Sequence, residues 1–419
     1  MSCALLLLLG ASGGVRAEST DIGFADPRHG YWTQPPRDRF SRLRADLDSG
    51  ARQLDSSSEK ALLLSLLEAL EVPVSSQMLV MSATSLQKGL INPRNPRALY
   101  FNDDTYVGYV PGGRLEIASV DPQLGSIFYI LDRARGGRPP RTERSEGCLN
   151  CHAPHYLNEI PALVIESVVP GMTGGGEKAF RRQMSGHGVP LDLRFGGWQV
   201  TGADSFPRHW GNIVMEYTDT GRRERTVTFG ELFDATRYPV GTSDILPQLL
   251  HEHQVGFENR AVAAIYDTRS SGPADRAAAE ASVEQHARTL VRYLLFADEV
   301  PLPAGGVIGD SAFKAAFHQT RKAASTGASL KDFELGTHLF RYRCSYMIYS
   351  PAFAGLPDSV KQRVYGLLER TLSDEGAGVE FAYLPLTERQ AIRSILRETL
   401  PDLPAGWGGG AATVAAADR

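Results

Sequence analysis

Between residues 76 and 240 the chain is punctuated too often for a long helix. The short β-branched and aromatic runs "QMLVMS", "RALYF", "TYVGYV", "LEIASV" and "SIFYIL" alternate with Asn-Pro, Asn-Asp-Asp, Pro-Gly-Gly and Asp-Pro turns. The runs "ALVIESVV", "GWQVTG" and "GNIVMEY" continue the pattern. Beyond residue 240 the period changes to that of helices, over 243–264, 274–298, 311–324, 358–372 and 387–400. The change of period predicts an α+β fold, with a β-rich half followed by a helical C-terminal half.

The flanks read differently. Residues 1–17 hold a short apolar run and a Val15-Arg16-Ala17 cleavage pattern, which suits a secretory signal, although no Lys or Arg precedes the run. Residues 18–75 form an N-terminal helical segment, with helices expected over 38–54 and 59–70 and Ser57 or Ser58 as cap of the second. The division is then 76–240 as the β-rich region, 241–404 as the helical region and 405–419 as a disordered tail. No later segment approaches 18 continuous apolar residues, so no transmembrane segment is expected. A formal charge of −4 over 419 residues gives no reason to expect nucleic acid as a partner.

Chemistry concentrates in "SEGCLNCHAPH", which carries Cys148, Cys151 and His152 in the order C-x-x-C-H. This order suits covalent haem c: two thioethers to the vinyl groups, and an adjacent imidazole for the iron. One rival is a redox dithiol, which wants a strand-to-helix βαβ setting that the surrounding sequence lacks. The other is a zinc site with His155 as fourth ligand. The chain has four cysteines, and a cleaved signal would remove Cys3. Haem would take two more, leaving Cys344 without a disulfide partner and readable as a small buried hydrophobe. Haem c is attached outside the bacterial cytoplasm, so motif and signal point together to a periplasmic or otherwise exported protein.

The run before the motif is basic, with Arg133, Arg135, Arg138, Arg141 and Arg144 against Glu143 alone. Some of these could pair with haem propionates, or all could form a solvated loop. The other side of the iron is open. Met172, Met184 and His187 lie in a glycine-rich loop read as a surface excursion, with His187 exposed. His209, at the entrance of a strand beside Trp210, and His253, on the apolar stripe of the helix from residue 243, are the candidate distal ligands. That stripe leaves His251 off the buried face. Met215 reads as core packing, and Asp103 and Asp104 as turn formers.

The stretches "NPRALYFNDDTYVGYVPGG", "EIASVDPQLGSIFYILD", "CLNCH", "RHWGN", "SDILPQLLHEHQ", "VRYLLFADEVPL" and "LFRYRCSYMIYS" resemble an uncharacterised bacterial family of single-haem cytochrome c domain-containing proteins. The resemblance covers about residues 75 to 400. It implies a secreted protein with one haem c held by Cys148, Cys151 and His152, and it places His209 and His253 in recurrent segments. A further His of that family falls where this chain reads Ala203-Asp204. The expected function is periplasmic electron transfer with a redox partner protein. A haem enzyme acting on a small oxidant such as peroxide or a nitrogen oxide, and a haem-based sensor, are the alternatives.

Overall fold

The computed structural model of the chain describes residues 23–133, 140–181, 185–270, 276–375 and 378–407. The expected signal, Arg135, Arg138, Met184 and the tail from residue 408 lie outside the described residues. The architecture is α+β. Two N-terminal helices are α1 (Arg39–Asp48), capped by Asp38, and α2 (Glu59–Ala69), capped by Ser58. The first is shorter than its amphipathic pattern, because Ser49 caps it and Gly50 follows with φ +76°.

The sheet is built from β1 (Met78–Val80), β2 (Arg97–Phe101), β3 (Thr105–Tyr109), β4 (Leu115–Asp121), β5 (Gly125–Asp132) and β6 (Arg141–Arg144). A single helical turn, α3 (Leu149–His152), follows the edge strand β6. A small pair, β7 (Ser167–Pro170) and β8 (Gly176–Arg181), comes next. Then β9 (Trp198–Gln199) returns to the far edge, giving seven antiparallel strands in the order β6-β5-β4-β3-β2-β1-β9. The hairpin of β10 (Ile213–Thr218) and β11 (Gly221–Thr226) stands apart from that sheet. The C-terminal half holds α4 (Ile245–Ser270), α5 (Arg276–Leu294), α6 (Ser311–His318), α7 (Pro351–Ala354), α8 (Asp358–Thr371) and α9 (Leu386–Thr399).

Both faces of the sheet are covered, which explains why β1, β3 and β5 are buried at nearly every position. On one face Tyr129 packs on Phe40 of α1 at 4.6 Å and donates to Asp38 at 2.6 Å. On the other, Phe101, Tyr106, Ala118 and Phe128 stand in one row across β2, β3, β4 and β5. Helix α4 lies over this row. Its Glu258 accepts from the Tyr106 hydroxyl at 3.0 Å, and Gly125, at φ +76° at the start of β5, lets Val262 close in where a Cβ would lie 2.9 Å from its methyl. Gly256 does the same for α5, since a Cβ there would meet the Tyr293 hydroxyl at 2.1 Å. One apolar cluster joins α1, α2, the sheet, α4 and α9, so the changes of pattern near residues 75 and 240 are changes of local structure within a shared core.

Helix α4 departs most from its sequence pattern. It runs to Ser270, and polar side chains are buried around its whole circumference: Gln248, His251, Glu252, His253, Gln254, Glu258 and Asn259. A single buried stripe with His251 outside it is therefore incorrect; His251 is 7% exposed, because its ring lies 5.5 Å from Phe101 and Tyr106 and 6.0 Å from Trp198. The helix is central to the molecule. Among the described residues, no helix is long and apolar enough to cross a membrane.

Candidate functional site

The C-x-x-C-H stretch forms the turn α3, closed by the His152 N–H donating to the Cys148 carbonyl at 3.0 Å. Buried Leu149 roots the turn in the core, while Cys148 is partly buried and Cys151 exposed; both thiols are free. Burial pushes the Cys148 thiol up, partly offset by a hydrogen bond with Ser145. His152 packs on Phe128, ring to ring at 4.5 Å.

Two hydrogen bonds tie this residue to Ala162. The Ala162 N–H donates to the His152 carbonyl at 2.7 Å, and the His152 Nδ1–H donates to the Ala162 carbonyl at 3.0 Å. The second fixes the tautomer: a carbonyl only accepts, so Nδ1 carries the proton and Nε2 keeps its lone pair. Burial lowers the imidazole to about 4, against the opposing pull of that carbonyl, so the ring is neutral near pH 7. One turn thus presents two thiols and one imidazole nitrogen that keeps its lone pair. Beside it, Arg97 pairs with Glu116 at 3.1 Å, and Glu116 also accepts from Ser85 and Gln87.

The row under this turn leads to α4. Phe128 carries His152 at one end, and Tyr106 and Phe101 carry His251 at the other. Ala118, the smallest side chain of the row, stands between Phe128 and Tyr106 and is only partly buried. Near His251 lies a small cleft lined by Ile165, Phe195, Trp198, Gln248, His251 and Glu252. Gln248 is 4% exposed, and its Oε1 is buried without a hydrogen-bond partner among the described residues. Residue spacing gave no sign of this cleft, because it joins three separate segments.

The distal candidates fall in different surroundings. His209 sits in the loop ahead of β10, partly buried between Phe195 and Phe206, and its Nδ1 accepts from the Gly211 N–H at 3.1 Å. Burial lowers it as well. His253 is fully buried, with Nδ1 2.7 Å from His187 Nδ1 and Nε2 2.7 Å from Ser345 Oγ. Both of its nitrogens are engaged while these bonds stand. His187 is not the exposed loop residue its glycine-rich neighbourhood suggests: it is 3% exposed, stacked on Tyr293 at 4.1 Å and on Phe296 at 4.8 Å. Burial pushes both imidazoles down, His253 to about 3, and the nearby Arg260 adds to this.

The remaining candidates are structural. Met215 is buried with Val169 and Trp210, and Met172 packs on Met81, Val214 and Val227. Asp103 pairs with Lys331 at 2.7 Å and Asp104 with Arg39 at 2.8 Å, so the turn carboxylates anchor the β2–β3 connection. Cys344 is fully buried, and burial pushes its thiol up. Of the basic run, Arg133 pairs with Glu59, and Arg144 donates to the Tyr31 carbonyl with its guanidinium over the Tyr31 and Trp32 rings at 4.5 and 4.6 Å. Arg141 is exposed. His155 points to solvent and bonds to Glu159 at 2.9 Å. Among the described residues, no group of three or more His, Cys, Asp or Glu side chains is placed to hold a metal ion. No family model, curated protein or solved structure matches the chain.

Proposed function

We propose that this chain is an exported single-haem c-type cytochrome, periplasmic or otherwise outside the cytoplasm, whose task is electron transfer with a redox partner protein. The observation that carries the reading is the His152 imidazole, held by Ala162 with its proton on Nδ1 and its Nε2 lone pair open. It stands on the same turn as two free thiols, in the spacing that covalent haem attachment needs. Cys148 and Cys151 would hold the porphyrin by adding their S–H bonds across its two vinyl groups, and His152 Nε2 would hold the iron. When bound, the haem supplies an iron that accepts and releases one electron. The residues around it then fix the imidazole by the Ala162 carbonyl and pack it against Phe128.

The competing zinc reading loses support because His155 is turned to solvent and bonded to Glu159. A second functional reading, a haem enzyme acting on a small oxidant such as peroxide or a nitrogen oxide, is favoured by the cleft beside His251 and by the engagement of both His253 nitrogens. Expression with a haem c maturation system tests the first claim: haem should survive denaturation on the wild-type chain. A wild-type chain without covalent haem overturns it. Carbon monoxide added to the reduced protein separates the two functions. An unchanged spectrum supports a six-coordinate carrier, and ready binding supports the small-oxidant enzyme.

A further inference from the structure

The carbonyl that orients His152 lies in a stretch without regular structure. Residues 160–166 run between the motif and β7 and join no sheet. An isolated segment has no ladder to fix it, so scattered bonds hold it: near its ends the Pro161 carbonyl accepts from the Ser126 N–H at 3.5 Å and the Glu166 carbonyl from the Trp198 Nε1–H at 3.1 Å. Its middle is held by α4. Asn259 accepts the Leu163 N–H on Oδ1 at 3.0 Å and donates Nδ2–H to the Leu163 carbonyl at 2.8 Å. A single amide thus satisfies both backbone groups of one residue, as a neighbouring strand would. Asn259 is 7% exposed, so water does not compete easily for these bonds. The next residue back, Ala162, makes the two bonds to His152. The chain of contact is α4, Asn259, Leu163, Ala162, His152, across 107 residues of sequence.

We propose that Asn259 is a positioning residue for the His152 imidazole: by clamping Leu163 it holds the Ala162 carbonyl where it keeps the proton on Nδ1 and the lone pair on Nε2. The functional consequence rests on the haem reading, but the clamp itself does not. A carbonyl bonded to Nδ1–H makes the imidazole a stronger donor at Nε2, which favours ferric iron and tightens the hold on the metal. Loosening the clamp weakens that bond, so the reduction potential rises and the imidazole leaves the iron more readily.

The test uses Asn259→Leu, which removes both bonds, and Asn259→Asp, which keeps the acceptor but turns a carboxylate oxygen toward the Leu163 carbonyl. Val255→Ala, a buried change elsewhere on α4, reports general loss of packing. In the full-length chain without haem, amide exchange over 160–166, read by mass spectrometry, should accelerate in both Asn259 variants and stay near wild type in Val255→Ala. In the haem-loaded chain, both Asn259 variants should show a reduction potential above wild type. Displacement of His152 by added imidazole should become about tenfold easier, the low end of the cost of losing such a partner. Val255→Ala should move neither. Wild-type exchange and wild-type potential in the Asn259 variants overturn the proposal. If Asn259→Leu does not fold, Asn259→Asp decides by the same criteria. A wild-type chain that takes no haem sinks the haem reading, and the exchange measurement still decides the clamp.

Discussion

Two histidines in this molecule are both held by hydrogen bonds, yet only one has anything left to offer. His152 spends Nδ1 on a backbone carbonyl and keeps Nε2, on a turn that reaches the surface at Cys151. His253 spends Nδ1 on His187 and Nε2 on Ser345, at the centre of a helix covered on every side. The first arrangement leaves a lone pair directed outward from its own support. The second is closed, with one proton shared between facing nitrogens and a hydroxyl at the far end. Burial makes both rings neutral, so charge does not separate them. What separates them is the count of nitrogens already satisfied. A histidine is a ligand candidate by that count, whatever its place on a helical stripe.

The largest effect is expected at the turn. Replacing Cys148 and Cys151 together by Ser should remove all haem that survives denaturation, measured by in-gel haem staining; staining that persists breaks the assignment of the open histidine to haem. The closed histidine should behave in the opposite way. His253→Leu should lower stability by about 2–4 kcal/mol, because it strands His187 and Ser345 in a dry core. It should leave the visible spectrum of the haem-loaded protein unchanged. A moved spectrum would mean that His253 exchanges its partners for the iron, and the contrast with His152 would fail.

The pH dependence sharpens the same contrast. An imidazole that titrates near 6.5 when unfolded and about 3 in the fold binds its proton more tightly in the unfolded chain. The stability it contributes is complete above about pH 6.5 and falls as pH drops from there toward 3. His187 has the same sign. Urea midpoints of the wild type should therefore fall with acid across that window, and His253→Leu should flatten the curve. An equal slope in both proteins would show that the network does not stay neutral. The smallest effect is expected at His209, partly buried in a loop with one nitrogen accepting from Gly211. His209→Ala should cost about 1 kcal/mol or less by thermal melting. A changed haem spectrum in that variant, and none in His251→Ala, would identify His209 as the distal ligand; the reverse result would point to the cleft lined by His251.

Local signals in the sequence reached far. The turn residues between short apolar runs marked the sheet, since Pro, Gly and Asn-Asp break a chain wherever they stand. The cap expected at Ser57 or Ser58, which is Ser58, and the periodicity after residue 240 marked the helices. The C-x-x-C-H spacing marked the candidate site, because three groups on one turn are set by five adjacent letters. His209 and His253 could be named as histidines near structure, but their partners could not.

Those partners were decided by the tertiary fold. Ala162 holds His152 because the stretch that follows the turn folds back onto it, and Asn259 holds Leu163 because α4 crosses behind it. His187 faces His253 across a separation of 66 residues. His251 is buried because the helix that carries it is surrounded, which an amphipathic pattern cannot express. Hydrogen-bond completion depends on which groups meet in three dimensions. Residue type and spacing determined which groups this protein owns, and packing alone determined which of them remain free.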